Sequence, residues 1–490
     1  MNDLALMLRP HLSQSEAAPL RRRLGEALKR AVLDGTLAAG SVMPASRVLS
    51  QELGIARNTV LHVYEELAAE GYVVADRQGT VVSHLPTAAP RAAAAARRAE
   101  QLPPLSRRGA PHALRPDSHA ENMAPFMPGV PALDEFPVER WQRHLAQAWK
   151  ALAADDLAGR GVAGEPVLRS AIAGYLRASR GVRCEPEQVV VTSGTQESLA
   201  LCAHLLTDPG ERVWIEDPGY PGAKAAFLDA GLDLVPVPVD AQGMSPPAGL
   251  WKQRAPRLVY TTPSHQYPLG VVLSLSRRLA LIEGARRSGA WILEDDYDSE
   301  FCRGVPLAAM QGLAPDAPVV YLGTFSKTLF PALRLGFMVL PPAAVERMLP
   351  ALERRLAPGR PVEQEALASF IHEGEFTTHL RRMRKLYAER EEALREALAR
   401  HRPARAGLSP GRGGIHVAMA LPRWVDDRAV VRRAWDLGLA PRALSNYAIS
   451  PASRLNGLVL GYANVPAARA AELVRQLGAA LRLRTFASAE

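Results

Sequence analysis

The chain has 490 residues, of which 48% are hydrophobic and 22% charged, and this length predicts two or three domains rather than one core. No uncharged apolar run reaches the roughly 18 residues of a membrane span, and residues 1–10 lack the pattern of a secretory signal. The three cysteines fit neither a disulfide framework nor a zinc site, so a cytoplasmic protein is expected. The net charge of +9 permits a polyanionic partner without proving one.

The first predicted domain, residues 14–84, is helical and ends in two short strands. Helical periodicity runs from Leu20 to Leu33, a short helix opens near Ser46 and ends at Leu53, and a third begins near Ile55. Two helices joined by a turn with glycine, here Gly54, are typical of a helix-turn-helix. The third helix presents Arg57, Asn58 and Thr59 at its start, where a recognition helix contacts bases and phosphates.

A two-stranded wing is predicted next, from Gly71-Tyr72-Val73-Val74 and Gln78-Gly79-Thr80-Val81-Val82. With Met43-Pro44-Ala45-Ser46-Arg47, Leu53-Gly54-Ile55-Ala56-Arg57-Asn58-Thr59-Val60 and Glu70-Gly71-Tyr72, this domain resembles the winged helix of the GntR family of bacterial transcription regulators. The resemblance implies contacts with double-stranded operator DNA by Ser46, Arg47, Arg57, Asn58, Thr59 and the wing around Gly79. It departs from the family at Ala56, where serine is usual. The alternative is three ordinary helices with a hairpin.

Residues 85–120 are predicted to be a linker. They are rich in Ala, Pro and Arg, with six arginines against Glu100 and Asp117, and have too little apolar surface for a core. Their arginines either face solvent or touch DNA phosphate.

Residues 121–490 alternate apolar strands with helical stretches, which indicates an α/β domain. Several strands are continuously apolar, as expected for a parallel sheet covered on both faces. The predicted strands are 189–192, 212–216, 258–261, 291–294 and 319–322.

Three motifs follow these strands. Ser193, Gly194 and Thr195 lie between a strand and a helix, where backbone N–H groups form an anion site suited to phosphate. Tyr220, after Pro-Gly, offers an aromatic ring for stacking or is simply a turn residue. Asp295 and Tyr297 are two residues apart and therefore face the same side. There the carboxylate can keep a pyridine nitrogen protonated, and the tyrosine can hydrogen-bond the phenolate oxygen of the same ring. A metal site is the alternative for these carboxylates, but no convergent histidine or second acidic cluster in the sequence supports it.

Lys327 is one of only six lysines among 59 basic residues. A lysine can become a neutral amine and form a Schiff base, which an arginine cannot. Thr324 and Ser326 precede it and Arg334 follows, as expected for the phosphate ligands of pyridoxal 5'-phosphate.

The order of these motifs resembles fold-type I aminotransferases over roughly residues 125–485, with a large and a small subdomain. Two runs resemble the MocR subfamily, in which a GntR winged helix is fused to an aminotransferase-like domain: Tyr260-Thr261-Thr262-Pro263-Ser264-His265-Gln266-Tyr267-Pro268-Leu269-Gly270 and Glu294-Asp295-Asp296-Tyr297-Asp298-Ser299-Glu300-Phe301. The resemblance implies a DNA-binding regulator in which Lys327 carries pyridoxal phosphate as an internal aldimine. It also implies that an amino-compound effector, or the cofactor itself, modulates DNA binding, and that the chain forms a head-to-tail homodimer.

Other positions depart from the aminotransferase pattern or are left open by it. Tyr267-Pro268-Leu269-Gly270 replaces the usual Asn-Pro-x-Gly, so the asparagine bond to the ring is missing or is supplied by His265 or Gln266. Gly159 stands where a tyrosine normally reaches the phosphate across the dimer interface. Arg442 and Arg454 are both candidates to bind an effector carboxylate.

Two other functions fit the same motifs. One is a true aminotransferase with an appended DNA-binding domain. The other is a regulator that has kept the fold but no longer binds the cofactor.

Overall fold

The computed structural model describes residues 3–13, 18–76, 79–85, 106, 123–158, 161–304, 307–314, 316–356, 359–401, 407–411, 413–450 and 452–481. The chain divides into two compact units, Met1–Ser106 and Arg107–Glu490. None of the described helices is long and apolar enough to cross a bilayer.

The first unit is a helical domain with a β-hairpin. Its elements are α1 (Asp3–Ser13), α2 (Leu20–Leu33), α3 (Ser46–Leu53), α4 (Arg57–Ala69), β1 (Val73–Asp76) and β2 (Gly79–Val82). Leu24, Leu28, Val60 and Leu67 are buried between α2 and α4. Gly54 ends α3 with φ 67°, a left-handed conformation that glycine adopts without steric cost. The predicted helices and hairpin are therefore present.

Helix α1 adds an element that the sequence analysis did not predict. Its buried residues Leu4, Ala5 and Leu8 join the same core, and the Arg9 guanidinium donates to the Glu52 carbonyl at 2.9 Å. The compact unit therefore begins before residue 14.

The second unit contains a large sheet covered by helices. Its first elements are α5 (Val138–Ala151), α6 (Pro166–Arg180), β3 (Val189–Thr192), α7 (Thr195–Leu206), β4 (Arg212–Asp217), α8 (Pro221–Asp229), β5 (Asp233–Asp240), β6 (Gly243–Met244) and α9 (Leu250–Gln253). They are followed by β7 (Leu258–Thr261), α10 (Leu275–Ser288), β8 (Trp291–Asp296), α11 (Met310–Leu313), β9 (Val319–Thr324) and β10 (Gly336–Val339).

Within the described residues the large sheet has the strand order β3-β10-β9-β8-β7-β4-β5-β6. The five predicted strands β3, β4, β7, β8 and β9 all run in one direction, and the sheet as a whole is mixed, because β10 runs antiparallel to both β3 and β9, and β6 runs antiparallel to β5. The connection from β9 to β10, residues 325–335, is shorter than the dozen or more residues that a parallel crossover needs. The chain therefore turns back along its neighbour.

A smaller sheet completes the second unit. The elements are α12 (Pro342–Glu353), α13 (Pro361–His372), α14 (Glu375–His401), β11 (His416–Ala420), α15 (Asp427–Asp436), β12 (Arg442–Ala443), β13 (Gly457–Gly461) and α16 (Ala470–Leu481). Its strand order is β11-β13-β12, all antiparallel. Large and small parts share one hydrophobic core, so this unit has the α/β architecture with two subdomains that the sequence predicted.

A buried ion pair links α6 to the end of β8. Arg180 Nε donates to Asp296 Oδ2 at 2.8 Å, and both side chains are almost completely buried. The Tyr321 hydroxyl donates to the same oxygen at 2.7 Å. Asp296 thus points away from Asp295, as the alternation of a strand requires.

Replacing Asp296 with alanine is expected to lower the free energy of unfolding of the second unit by about 3–5 kcal/mol, because Arg180 stays buried without its counter-charge. Tryptophan fluorescence during urea unfolding measures this, since all seven tryptophans lie beyond residue 106. The control is Asp240→Ala, which removes the exposed pair with Arg277 and should cost about 0–1 kcal/mol. Equal losses for the two variants would contradict the role of the buried pair.

Candidate cofactor site and DNA-binding helix

A cavity of about 350 Å³ opens at the carboxyl ends of β3, β7, β8 and β9. In sheets of this kind ligands bind in the crevice at these ends, because loops from neighbouring strands meet there. The cavity wall includes Ser193, Gly194, Thr195, Tyr220, Asp295, Tyr297, Thr324, Ser326, Lys327 and Arg334. The structure therefore brings together predicted cofactor residues that are spread over more than a hundred positions of the chain.

One end of the cavity is suited to an anion. Helix α7 begins at Thr195, and the first N–H groups of a helix have no acceptor within it. A Cβ on Gly336 would lie 2.7 Å from Gly194 Cα, so β10 approaches this loop as closely as glycine allows. Arg334 is exposed beside it and has φ 51°, a conformation that non-glycine residues seldom adopt and that is often found at ligand sites. The start of α7 and Arg334 line the same cavity, so backbone N–H groups and a guanidinium are both available to an anion there.

Asp295 supplies an acceptor at the other end. Its Oδ2 accepts a hydrogen bond from the Tyr260 hydroxyl at 2.7 Å, whereas its Oδ1 is buried with no partner among the described residues. Burial outweighs the Tyr260 bond and raises the pKa of Asp295 to about 7. An orphaned acid of this kind is stabilised by a cationic N–H donor such as a pyridinium.

Lys327 lies in the turn after β9. Its Nζ donates to the Gly129 carbonyl at 2.8 Å. Removal of the amine from water lowers the pKa of Lys327 below its ordinary value, against the attraction of Asp298 and Asp295. A lowered pKa increases the neutral fraction of the amine, the form that attacks a carbonyl carbon.

Aromatic side chains form the remaining walls. Tyr220 lies in the wall next to Tyr267, with ring centroids 5.8 Å apart, and its hydroxyl accepts from Gln196 Nε2 at 3.1 Å. Tyr297 lines the cavity on the same side as Asp295. His265 is buried behind Tyr297, with Nδ1 3.1 Å from the Tyr297 hydroxyl.

The remaining candidate residues differ in position. Arg442 lies in β12 with its guanidinium 5.1 Å from the centre of the Trp435 ring, and it acts electrostatically on Tyr267 in the cavity wall. Arg454 is exposed in the loop before β13. Gly159 lies outside the described residues.

Several cavity residues were not singled out from the sequence. Tyr260, Thr262 and Tyr267 belong to runs that were noted without an assigned contact, whereas Gly129 and His416 reach the cavity from far along the chain. The position of Tyr260 in a predicted strand was the one local signal for it. Gly129 and His416 lie in no local motif that could have indicated a place in the cavity.

The first unit presents the predicted DNA-binding residues at the starts of two helices. Arg57 and Asn58 at the start of α4 are exposed, and Arg47 at the start of α3 is exposed as well. Arg57 Nε lies 3.4 Å from Ser46 Oγ, so these two helix starts are adjacent. Thr59 is half-buried, and Gly79 begins β2 with φ 132°. The arrangement is that of a helix-turn-helix whose second helix exposes its N-terminal side chains.

Comparison with known proteins agrees with this arrangement. Residues 20–82 match the gntR family of bacterial regulatory proteins, and residues 129–430 match the class I and II aminotransferases. The chain is 40% identical over 459 residues to the probable rhizopine catabolism regulatory protein MocR of Rhizobium meliloti, covering 93% of this chain and 92% of that protein. The chain belongs to the MocR subfamily of GntR-type transcription regulators. It is also 32% identical to the pyridoxine biosynthesis regulator PdxR of Corynebacterium glutamicum, over 94% of each chain.

The effector part of this MocR-type regulator has the aminotransferase fold. The α-aminoadipate aminotransferase LysN of Thermus thermophilus, solved with N-(5'-phosphopyridoxyl)-L-leucine, superimposes with a TM-score of 0.67 at 30% identity, covering 74% of this chain and 92% of that one. The predicted fold class and family are therefore confirmed, and aminotransferases of this fold imply pyridoxal phosphate as the cofactor.

Replacing Asp295 with asparagine should change how the stability of cofactor-free protein depends on pH. The folded pKa of Asp295, about 7, lies above its unfolded value, so its contribution to stability is present at low pH and is lost as pH rises from about 4 to 7. The variant should lessen this loss by up to about 1.4 kcal/mol per pH unit, measured by urea unfolding between pH 5 and 7. The exposed Asp233→Asn is the control. A slope unchanged by Asp295→Asn would contradict the burial of this charge.

Proposed function

We propose that the chain is a pyridoxal-phosphate-dependent DNA-binding regulator in which an amino-compound effector, or the cofactor itself, modulates operator binding. One observation carries the proposal: the Lys327 amine, the unpartnered Asp295 oxygen and the anion site at Arg334 line a single cavity. When bound, the cofactor supplies an aldehyde for the Lys327 amine and a pyridine ring that withdraws electrons.

The residues present fit each part of this cofactor. The start of α7 with Thr324, Ser326 and Arg334 would hold the phosphate, Asp295 would keep the ring nitrogen protonated, and Tyr220 would stack on the ring, since all of them line the cavity. The Glu216 carboxylate accepts hydrogen bonds from Thr261, Thr262 and Gln266 at 2.6–3.1 Å. These bonds fix the chain at the end of β7, where Thr262 lines the cavity.

The effector carboxylate is assigned to Arg442 rather than Arg454. Arg442 is held over the Trp435 ring and its charge reaches Tyr267, so an anion beside Tyr267 would be attracted to it. Arg454 is exposed to water, where a single charge attracts a carboxylate weakly.

Coupling to DNA is assigned to residues 123–132, here called the entry segment, which directly follow the part of the chain that joins the two units. Hydrogen bonds of 2.8–2.9 Å tie the carbonyls of Ala124, Pro125 and Phe126 to residues around the small sheet. The Gly129 carbonyl accepts from Lys327. A change in what Lys327 binds therefore acts on a segment continuous with the linker, which is the differential contact that regulation requires.

The proposed assembly is a head-to-tail homodimer whose two winged helices read paired half-sites. A rival function is full aminotransferase turnover. Complete conversion of the bound cofactor to its amine form by an amino acid, with no effect on operator binding, would favour that rival.

Lys327→Ala should abolish the visible absorbance that wild-type protein gains with pyridoxal phosphate, because no other described lysine lines the cavity. Borohydride reduction followed by peptide mass spectrometry locates the attached cofactor. The control is Lys385→Ala on the exposed face of α14, which should bind as wild type does. Cofactor retained on another lysine, or an operator affinity indifferent to Lys327→Ala and to the cofactor, would reject the proposal.

Arg57→Ala should weaken operator binding by about 1–3 kcal/mol and lower the dependence of log K on log salt by about one, since one phosphate or base contact is lost. Fluorescence anisotropy at several salt concentrations measures both quantities. Arg22→Ala removes the same charge from an exposed pair with Glu26 on α2 and is the matched control. Equal weakening by the two variants would mean that net charge alone, and not the start of α4, is responsible.

A further inference from the structure

The Tyr297 hydroxyl is held from behind by a buried pair. His265 Nδ1 lies 3.1 Å from the Tyr297 oxygen and 2.9 Å from Asp298 Oδ2. His265 and Asp298 are 2% and 0% exposed, whereas Tyr297 lines the cavity. The histidine thus stands between the carboxylate and the cavity wall.

The proton positions follow from the chemistry of the three groups. A carboxylate only accepts, so His265 Nδ1 carries a hydrogen that it donates to Asp298. Because Nδ1 then carries a hydrogen and has no free lone pair, the Tyr297 hydroxyl, 3.1 Å away, cannot donate to it. Its own O–H is left to donate elsewhere, and the cavity lies on its remaining side.

Gln266 is committed to other partners. Its Nε2 donates to Glu216 Oε2 at 3.1 Å and to the Pro218 and Tyr267 carbonyls at 2.8 Å. An amide nitrogen has two hydrogens, so these contacts leave none for a ligand.

We propose that His265 and Asp298 are positioning residues that orient the Tyr297 hydroxyl as the hydrogen-bond donor to the phenolic oxygen of bound pyridoxal phosphate. The proposal rests on the cofactor binding proposed above. In this proposal His265 contacts the Tyr297 hydroxyl and does not contact the cofactor ring itself.

The other titratable groups around His265 do not replace this pair. His416, on β11, donates from Nε2 to the Pro268 carbonyl at 3.1 Å, and burial together with His265 lowers its pKa to about 3, so it stays neutral. Burial acts to lower the pKa of His265, but the attraction and hydrogen bond of Asp298, together with the more distant charges of Glu391 and Asp296, outweigh it and raise that pKa. The positive charge of Lys327 acts to lower the pKa of Asp298 and the pKa of His416.

A donor to the phenolic oxygen favours the form that carries negative charge there, and therefore lowers the pH at which the cofactor spectrum changes. Losing the orientation of Tyr297 should raise that midpoint by about one pH unit, the equivalent of one net hydrogen bond.

The test is a visible-absorbance pH titration of full-length, cofactor-loaded protein. His265→Leu should raise the midpoint by about one unit, Asp298→Asn should raise it less, and His265→Asn, which keeps a donor near Nδ1, should restore part of the shift. Because His265 acts through Tyr297, His265→Leu combined with Tyr297→Phe should match Tyr297→Phe alone. His144→Leu, which removes another buried imidazole bonded to Ser369, is the control and should leave the midpoint in place.

An unmoved midpoint in His265→Leu and Asp298→Asn, or additive shifts in the double variant, would overturn the positioning role while leaving cofactor binding intact. If His265→Leu fails to fold, His265→Asn and Asp298→Asn decide the question by the same criterion. Wild-type protein that gains no visible absorbance with pyridoxal phosphate would overturn the proposed function and this proposal together.

Discussion

The proposed function of the second unit depends on one constraint: the Lys327 amine must be kept out of water and, with the cofactor bound, within reach of its carbonyl carbon. Lys327 satisfies it because β9 ends at the cavity and the Gly129 carbonyl holds its Nζ at 2.8 Å. The cost of desolvating a cation falls when the amine gives up its proton, which is also the condition for its chemistry. The negative charges of Asp295 and Asp298 oppose that loss, so the balance between burial and these carboxylates sets the state of the amine.

Most of the cavity could be predicted because its residues follow strands directly. Ser193 follows β3, Asp295 ends β8 and Lys327 lies just after β9, and the carboxyl ends of neighbouring strands necessarily meet. The orientation of Asp295 and Asp296 to opposite faces also follows from the strand period of two. Local pattern therefore determines both the identity and the side of these groups.

What could not be predicted depends on contacts between distant parts of the chain. Gly129 and His416 enter the cavity from opposite ends of the second unit, and nothing beside them in the sequence indicates a pocket. The direction of β10 depends on the length of the connection that precedes it. The apolar pattern of a strand does not show whether the strand runs parallel or antiparallel to its neighbours. Helix α1 is recognisable only by the core of the first unit that it covers.

The cavity wall is shared by three parts of the unit: the large sheet through Lys327, the small sheet through His416, and the entry segment through Gly129. A ligand that fills the cavity would contact all three, so its binding energy would differ between arrangements that bring them together and arrangements that do not. Such a difference is the only means by which a ligand can shift an equilibrium between conformations. An enzyme requires this cavity to return to the same state after each cycle. A regulator requires its two states to persist long enough to be read, and in the proposed coupling the bond from Lys327 to Gly129 is what distinguishes them within the entry segment.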